Sequence, residues 1–137
     1  MKTQPPPAWL PQLQSALAED PSVCLAYLFG SYAKQRQMPE SDVDIGVFLY
    51  EPYTEDDENR IWSMIEDIVA KPVDLVIINN APPLIAAAAM EGQALVVKNT
   101  YVEIQTWLRV SGEAMDYTEF INEFWLERAK AQKGEGK

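Results

Sequence analysis

The sequence predicts an α+β domain: a small mixed β-sheet of three to four strands with helices packed against it. Two observations carry this. Apolar runs of strand length alternate with stretches in which apolar residues recur at helical spacing, and turn-forming residues fall mostly at the junctions between them. With 137 residues the chain suits one such core rather than two, so a single domain is expected over 1–137, its core at about 22–98 and its C-terminal helices at about 99–131.

Each element follows from local chemistry. The opening MKTQPPPAWLPQ holds three consecutive prolines, which resist helix, and lacks the apolar core of a signal peptide. Trp9, Leu10, Leu13 and Leu17 then recur at helical spacing until Glu19-Asp20-Pro21 ends the helix. Val23 to Phe29 is a continuous apolar run, as in a strand buried on both faces. Gly30-Ser31 breaks it, and Ser31 to Gln37 reads as a short helical stretch before the turn Met38-Pro39-Glu40-Ser41. Asp42 to Tyr50 reads as a second strand. Thr54, followed by Asp57, starts a helix through an acidic variant of the capping box, and Ile61, Met64, Ile65 and Ile68 form its apolar face.

Lys71-Pro72 stops that helix, and Val73 to Ile78 is a third strand. Pro82 and Pro83 open an Ala-rich helix over 83–91, which Gly92 closes. Gln93 to Val97 is a fourth strand, expected at a sheet edge. From Asn99 the pattern is helical to about residue 131, with a kink or break expected at Ser111-Gly112.

Composition narrows the function. Eleven Lys and Arg stand against 21 Asp and Glu, a net charge of −10, the reverse of the basic footprint that nucleic-acid binders carry. A large nucleic-acid interface is therefore not expected. The chain has no histidine, which excludes Ser–His–Asp and Cys–His catalysis and leaves carboxylates as the natural catalytic groups. The one cysteine, Cys24, lies in the first apolar run and reads as a buried, reduced thiol. No apolar run reaches membrane-spanning length, and a cytoplasmic protein is expected.

The informative segment runs from Phe29 to Val47. Side chains alternate along a strand, so Asp42 and Asp44 share one face while Val43, Ile45 and Val47 share the other. Carboxylates two residues apart on a strand are roughly 6–7 Å apart, a spacing suited to oxygen ligation of one or two Mg²⁺ ions. Asp74 repeats the anomaly, standing second in the otherwise apolar Val73-Asp-Leu-Val-Ile-Ile78, where β-propensity disfavours it. If the second and third strands are neighbours, Asp74 completes a three-carboxylate site.

Gly30-Ser31 supplies a second half. Glycine between strand and helix permits close backbone approach to phosphate, and the following N–H groups with the Ser31 hydroxyl can hold phosphate oxygens. Each part alone has a plainer reading: an acidic strand start, an ordinary turn, a strand-end aspartate bonding a loop. In this order they read together as a metal–phosphate site for phosphoryl transfer. An EF-hand does not fit, because Gly46 stands where a further oxygen ligand belongs.

At these residues the sequence resembles the minimal nucleotidyltransferases of the DNA polymerase β-like superfamily, whose hallmark is Gly-Ser, ten intervening residues, Asp-x-Asp and a third acid on a later strand. Gly30-Ser31, Tyr32 to Ser41, Asp42-Val43-Asp44 and Asp74 fit that spacing. The apolar flanks Tyr27-Leu28-Phe29 and Ile45-Gly46-Val47, and the segment Asn80 to Gly92, also look like the family. Tyr32 and Gln35 depart from it where Arg and Gly often stand; Lys34 and Arg36 keep basic charge nearby.

The resemblance implies a polymerase β-like nucleotidyltransferase fold and transfer of AMP from ATP to a hydroxyl. It implies Asp42, Asp44 and Asp74 as metal and catalytic carboxylates with two Mg²⁺ ions, and Gly30, Ser31, Lys34 and Arg36 as nucleotide-binding residues. Many such short proteins are antitoxins that adenylylate a tyrosine of a HEPN-type ribonuclease toxin, which makes that toxin the expected partner. Two alternatives stay open: transfer to a small molecule such as an aminoglycoside, and an antitoxin that blocks its partner sterically. The rings Trp107, Tyr117, Phe120, Phe124 and Trp125 offer either a partner surface or core packing.

Overall fold

A computed structural model of the chain describes residues 6–30, 32 and 42–115. The described residues form four helices and four strands: α1 (Leu10–Glu19), β1 (Val23–Phe29), β2 (Val43–Leu49), α2 (Glu55–Val69), β3 (Val73–Ile77), α3 (Pro83–Met90), β4 (Gln93–Val97) and α4 (Thr100–Met115). The strands make one mixed sheet in the order β3-β2-β1-β4. β1 pairs antiparallel with both β2 and β4, whereas β2 and β3 are parallel and joined through α2.

Central β1 is buried along its whole length except at Phe29, as its unbroken apolar run predicts, because helices cover both of its faces. On one face Leu10, Leu13 and Leu17 of α1 and Ile61, Ile65 and Val69 of α2 pack against Ala26, Leu28, Val43, Ile45 and Val47. On the other, Ala86, Ala87 and Ala89 of α3 and Val110 of α4 pack against Cys24, Leu25 and Tyr27. Gly46 lets α3 come close: a Cβ there would sit 2.8 Å from the Ala89 Cβ. β4 is an edge strand, as expected.

The caps follow the sequence. Thr54 Oγ1 accepts from the Asp57 N–H at 3.1 Å, and Asp57 Oδ2 accepts from the Thr54 N–H at 2.9 Å, the reciprocal pair predicted for the start of α2. Asn99 Oδ1 accepts from the Val102 N–H at 3.1 Å and closes the start of α4. The break expected at Ser111-Gly112 is absent, and α4 runs through both residues to Met115. Glycine costs a helix about 1 kcal/mol relative to alanine, and burial of Thr106 and Val110 outweighs that cost. The expected helical stretch from Ser31 to Gln37 and the aromatic residues Tyr117, Phe120, Phe124 and Trp125 lie outside the described residues.

At the end of the sheet where α1 finishes, an ion pair ties three elements together. Asp20 is only 5% exposed and binds the Arg60 guanidinium of α2. It also accepts from the Ser22 N–H at 2.9 Å. Burial pushes the Asp20 carboxyl up, but the Arg60 hydrogen bond, the Ser22 N–H and the charges of Arg60 and Lys98 together hold it below its ordinary range. Among the described residues, no helix is long and apolar enough to cross a membrane.

Candidate active site

The acidic residues gather at the opposite end of the sheet. β2 and β3 start side by side, and their parallel register sets Val43 against Val73 and Asp44 against Asp74. Since Val43, Ile45 and Val73 turn into the core under α1 and α2, the alternation turns Asp44 and Asp74 together to the opposite face. Asp42 precedes β2 and is exposed; Asp74 is exposed; Asp44 is half-buried.

Asp44 is the centre of this cluster. Burial, then the charge of Asp74, then that of Asp42, and finally a hydrogen bond to Asp74 push its carboxyl from 3.8 up to about 6. Two of these causes are like charges held close, a condition that a divalent cation relieves. Among the described residues, however, no group of three or more His, Cys, Asp or Glu is already arranged to hold a metal ion. Asp44 and Asp74 touch, while Asp42 acts on Asp44 through its charge alone. The donors are hard carboxylate oxygens, the set Mg²⁺ prefers, so their chemistry fits that ion.

The chain leaves β1 directly over this cluster. Phe29 pairs with Asp44 across β1 and β2, and Gly30 follows with φ +74°. That left-handed conformation disfavours any residue with a Cβ. Space excludes one as well, because a Cβ on Gly30 would overlap Asp44 Oδ2. Glycine therefore brings the backbone of the β1 exit against the central carboxylate. Ser31, Lys34 and Arg36, the other residues assigned to nucleotide binding, lie outside the described residues.

Two contacts near the site carry no signal in the sequence. The Tyr27 hydroxyl, below Phe29 on the same face, donates to Glu103 Oε2 at 2.5 Å and fastens α4 to β1. Burial first, and then that hydrogen bond, raise the Tyr27 hydroxyl well above its ordinary range. Trp62 of α2 donates its indole N–H to the Val73 carbonyl at 3.0 Å, on the peptide unit leading into Asp74. A tyrosine inside an apolar run and a tryptophan on an acidic helix both read locally as packing residues, so only the tertiary structure reveals the bonds.

Comparison with known proteins bears on the family and the fold. Residues 11–101 match the family model described as Polymerase beta, Nucleotidyltransferase. No curated protein matches the chain. Among solved structures, a toxin–antitoxin with AMP-PNP superposes with a TM-score of 0.64 at 17% identity, over 88% of this chain and 95% of that one. A complex of tri-AMPylated Shewanella oneidensis HEPN toxin with MNT antitoxin gives a TM-score of 0.59 at 14% identity, over 88% and 98%. A protein described as a minimal nucleotidyltransferase gives 0.54 at 24% identity, over 63% and 87%. At these identities the shared property is the fold.

Proposed function

The chain belongs to the polymerase beta nucleotidyltransferase family, and from that membership we propose that it transfers AMP from ATP to a protein hydroxyl, a tyrosine of a cognate HEPN-type ribonuclease toxin. The observation that carries the reading is the in-register contact of Asp44 with Asp74 directly beneath Gly30. Similarity of fold to antitoxins solved with an AMPylated HEPN toxin or with AMP-PNP supports the acceptor class and the nucleotide. The net charge of −10 suits docking to a basic partner in the cytoplasm.

Asp42, Asp44 and Asp74 would hold Mg²⁺. When bound, the ion supplies charge neutralisation at the triphosphate and lowers the pKa of the acceptor hydroxyl. The Gly30-Ser31 corner, with Lys34 and Arg36, binds the triphosphate and directs its α-phosphorus toward the acids. Asp74, the more exposed member of the contacting pair, takes the proton of the attacking tyrosine hydroxyl. The new bond joins the tyrosine oxygen to the α-phosphorus, the α–β phosphoanhydride bond breaks, and pyrophosphate leaves. The chain forms no covalent intermediate; positioning and charge lower the barrier.

Incubation of the chain with α-³²P-labelled ATP, Mg²⁺ and a HEPN-type ribonuclease from the same genome tests the proposal. Label is expected on a ribonuclease tyrosine and is lost with the Asp42→Asn, Asp44→Asn double variant. Silencing of the ribonuclease by that double variant without label would replace the reading with a steric antitoxin. Label on an aminoglycoside but not on the protein would replace it with a small-molecule transferase.

A further inference from the structure

We propose that Trp62 is a positioning residue for Asp74, steadying the open edge of the sheet so that the Asp74 carboxylate stays beside Asp44. The inference rests on the function proposed above and adds to it a residue outside the acid cluster.

Among the described residues, β3 is an edge strand of five residues, bonded to the sheet on its β2 side only. Val43 donates its N–H to the Pro72 carbonyl at 3.1 Å, so Pro72 faces β2. Carbonyls alternate in direction along a strand, which turns the Val73 carbonyl away from β2 to the free edge. There the Trp62 indole N–H meets it at 3.0 Å. The Val73–Asp74 peptide unit is thus held from both sides, by the register with β2 and by the indole.

Asp74 needs this support more than Asp44 does. Asp44 lies on an inner strand and is half-buried, whereas Asp74 is exposed on the edge. The placement of its side chain therefore depends on the backbone beneath it. Trp62 is itself 39% exposed, and its ring reaches the edge from the helix that links β2 to β3. Because the indole covering the Val73 carbonyl is itself partly exposed, water can take the place of the N–H once it is removed, so the change affects the order of the edge more than the stability of the fold.

The test is a double-mutant cycle between Trp62→Phe, which keeps an aromatic ring and removes the N–H, and Asp74→Asn. Turnover of the labelled AMP transfer is expected to fall about tenfold in Trp62→Phe, while the KM for ATP stays within about twofold, because a misplaced base loses transition-state geometry rather than nucleotide affinity. In the Asp74→Asn background, Trp62→Phe should cost nothing further. Mn²⁺ binding, followed by electron paramagnetic resonance without turnover, should weaken in Trp62→Phe and show the same non-additivity. Additive losses in both readouts, or a lowered thermal midpoint that accounts for the lost activity, would overturn the role. If the wild-type chain labels no acceptor, the functional proposal fails, and the Mn²⁺ cycle still decides whether Trp62 acts through Asp74.

Discussion

Gly30 lies against Asp44 so closely that the site of its missing side chain is taken by the aspartate's Oδ2. The absence of one methyl group is therefore a condition for the position of the central carboxylate. Gly30→Ala faces two costs, the left-handed backbone at φ +74° and the overlap with Asp44. Together these are expected to destabilise the fold by about 1–3 kcal/mol and to displace the carboxylate. Chemical denaturation should register the first effect, and loss of the proposed AMP transfer at temperatures where the variant is folded should register the second.

The pKa of Asp44 makes the metal-free protein sensitive to pH. Its folded value of about 6 lies above the ordinary value of 3.8, so the folded state takes up the proton first. The corresponding stability is present below about pH 4 and is lost as pH rises to about 6. Asp44→Asn escapes this loss. Without metal, the variant should be more stable than wild type by about 1–2 kcal/mol at neutral pH, after allowance for solvent screening of a half-exposed cluster. The difference should shrink toward zero near pH 4. Urea denaturation across pH 4–8 measures it, and added Mg²⁺ should stabilise wild type alone.

Asp20 titrates in the opposite sense. Arg60 and its companions hold the folded carboxyl below 3.8, so its contribution is present above that value and lost as pH falls through the folded one. Arg60→Ala leaves a carboxylate 5% exposed without its guanidinium. A loss of about 1–2 kcal/mol is expected, since Arg60 is half-exposed and Lys98 remains nearby. The proposed AMP transfer, per folded molecule, should be unchanged, because the ion pair sits at the far end of the sheet from Asp44. Thermal denaturation and a titration of active sites separate the two quantities.

Gly112 occupies a continuous helix, and a Cβ built there meets nothing within 4 Å among the described residues beyond the helix's own backbone. Gly112→Ala is therefore expected to stabilise the protein by about 0.5–1 kcal/mol, the helix-propensity difference between the two residues. An unchanged or lowered thermal midpoint would mean that residues near 112 need the freedom of glycine.

The elements that could be read from the sequence were those with a local cause. The uninterrupted run Val23–Phe29 announces a strand covered on both faces, and Thr54 with Asp57 announces a helix start that forms as expected. Asp44 and Asp74 stand out because each breaks an apolar strand for which local structure offers no reason. Their adjacency could not be read, since it depends on β3 crossing back to lie parallel to β2. The pairs Asp20–Arg60 and Tyr27–Glu103, 40 and 76 residues apart, are set entirely by packing. At Ser111-Gly112 the local signal misleads, because helix propensity is the smaller influence once Thr106 and Val110 are buried.

The β2–α2–β3 connection has a consequence for how the chain comes into working order. Asp44 and Asp74 are 30 residues apart in sequence and meet through the α2 connection, which Ile61, Ile65 and Val69 seat on the sheet. Chelating power is thus not a property of either strand during synthesis. In the proposed site it would emerge with the pairing of β3 to β2 and disappear whenever the outer strand peels away, so affinity for a divalent ion would double as a gauge of whether that strand is home.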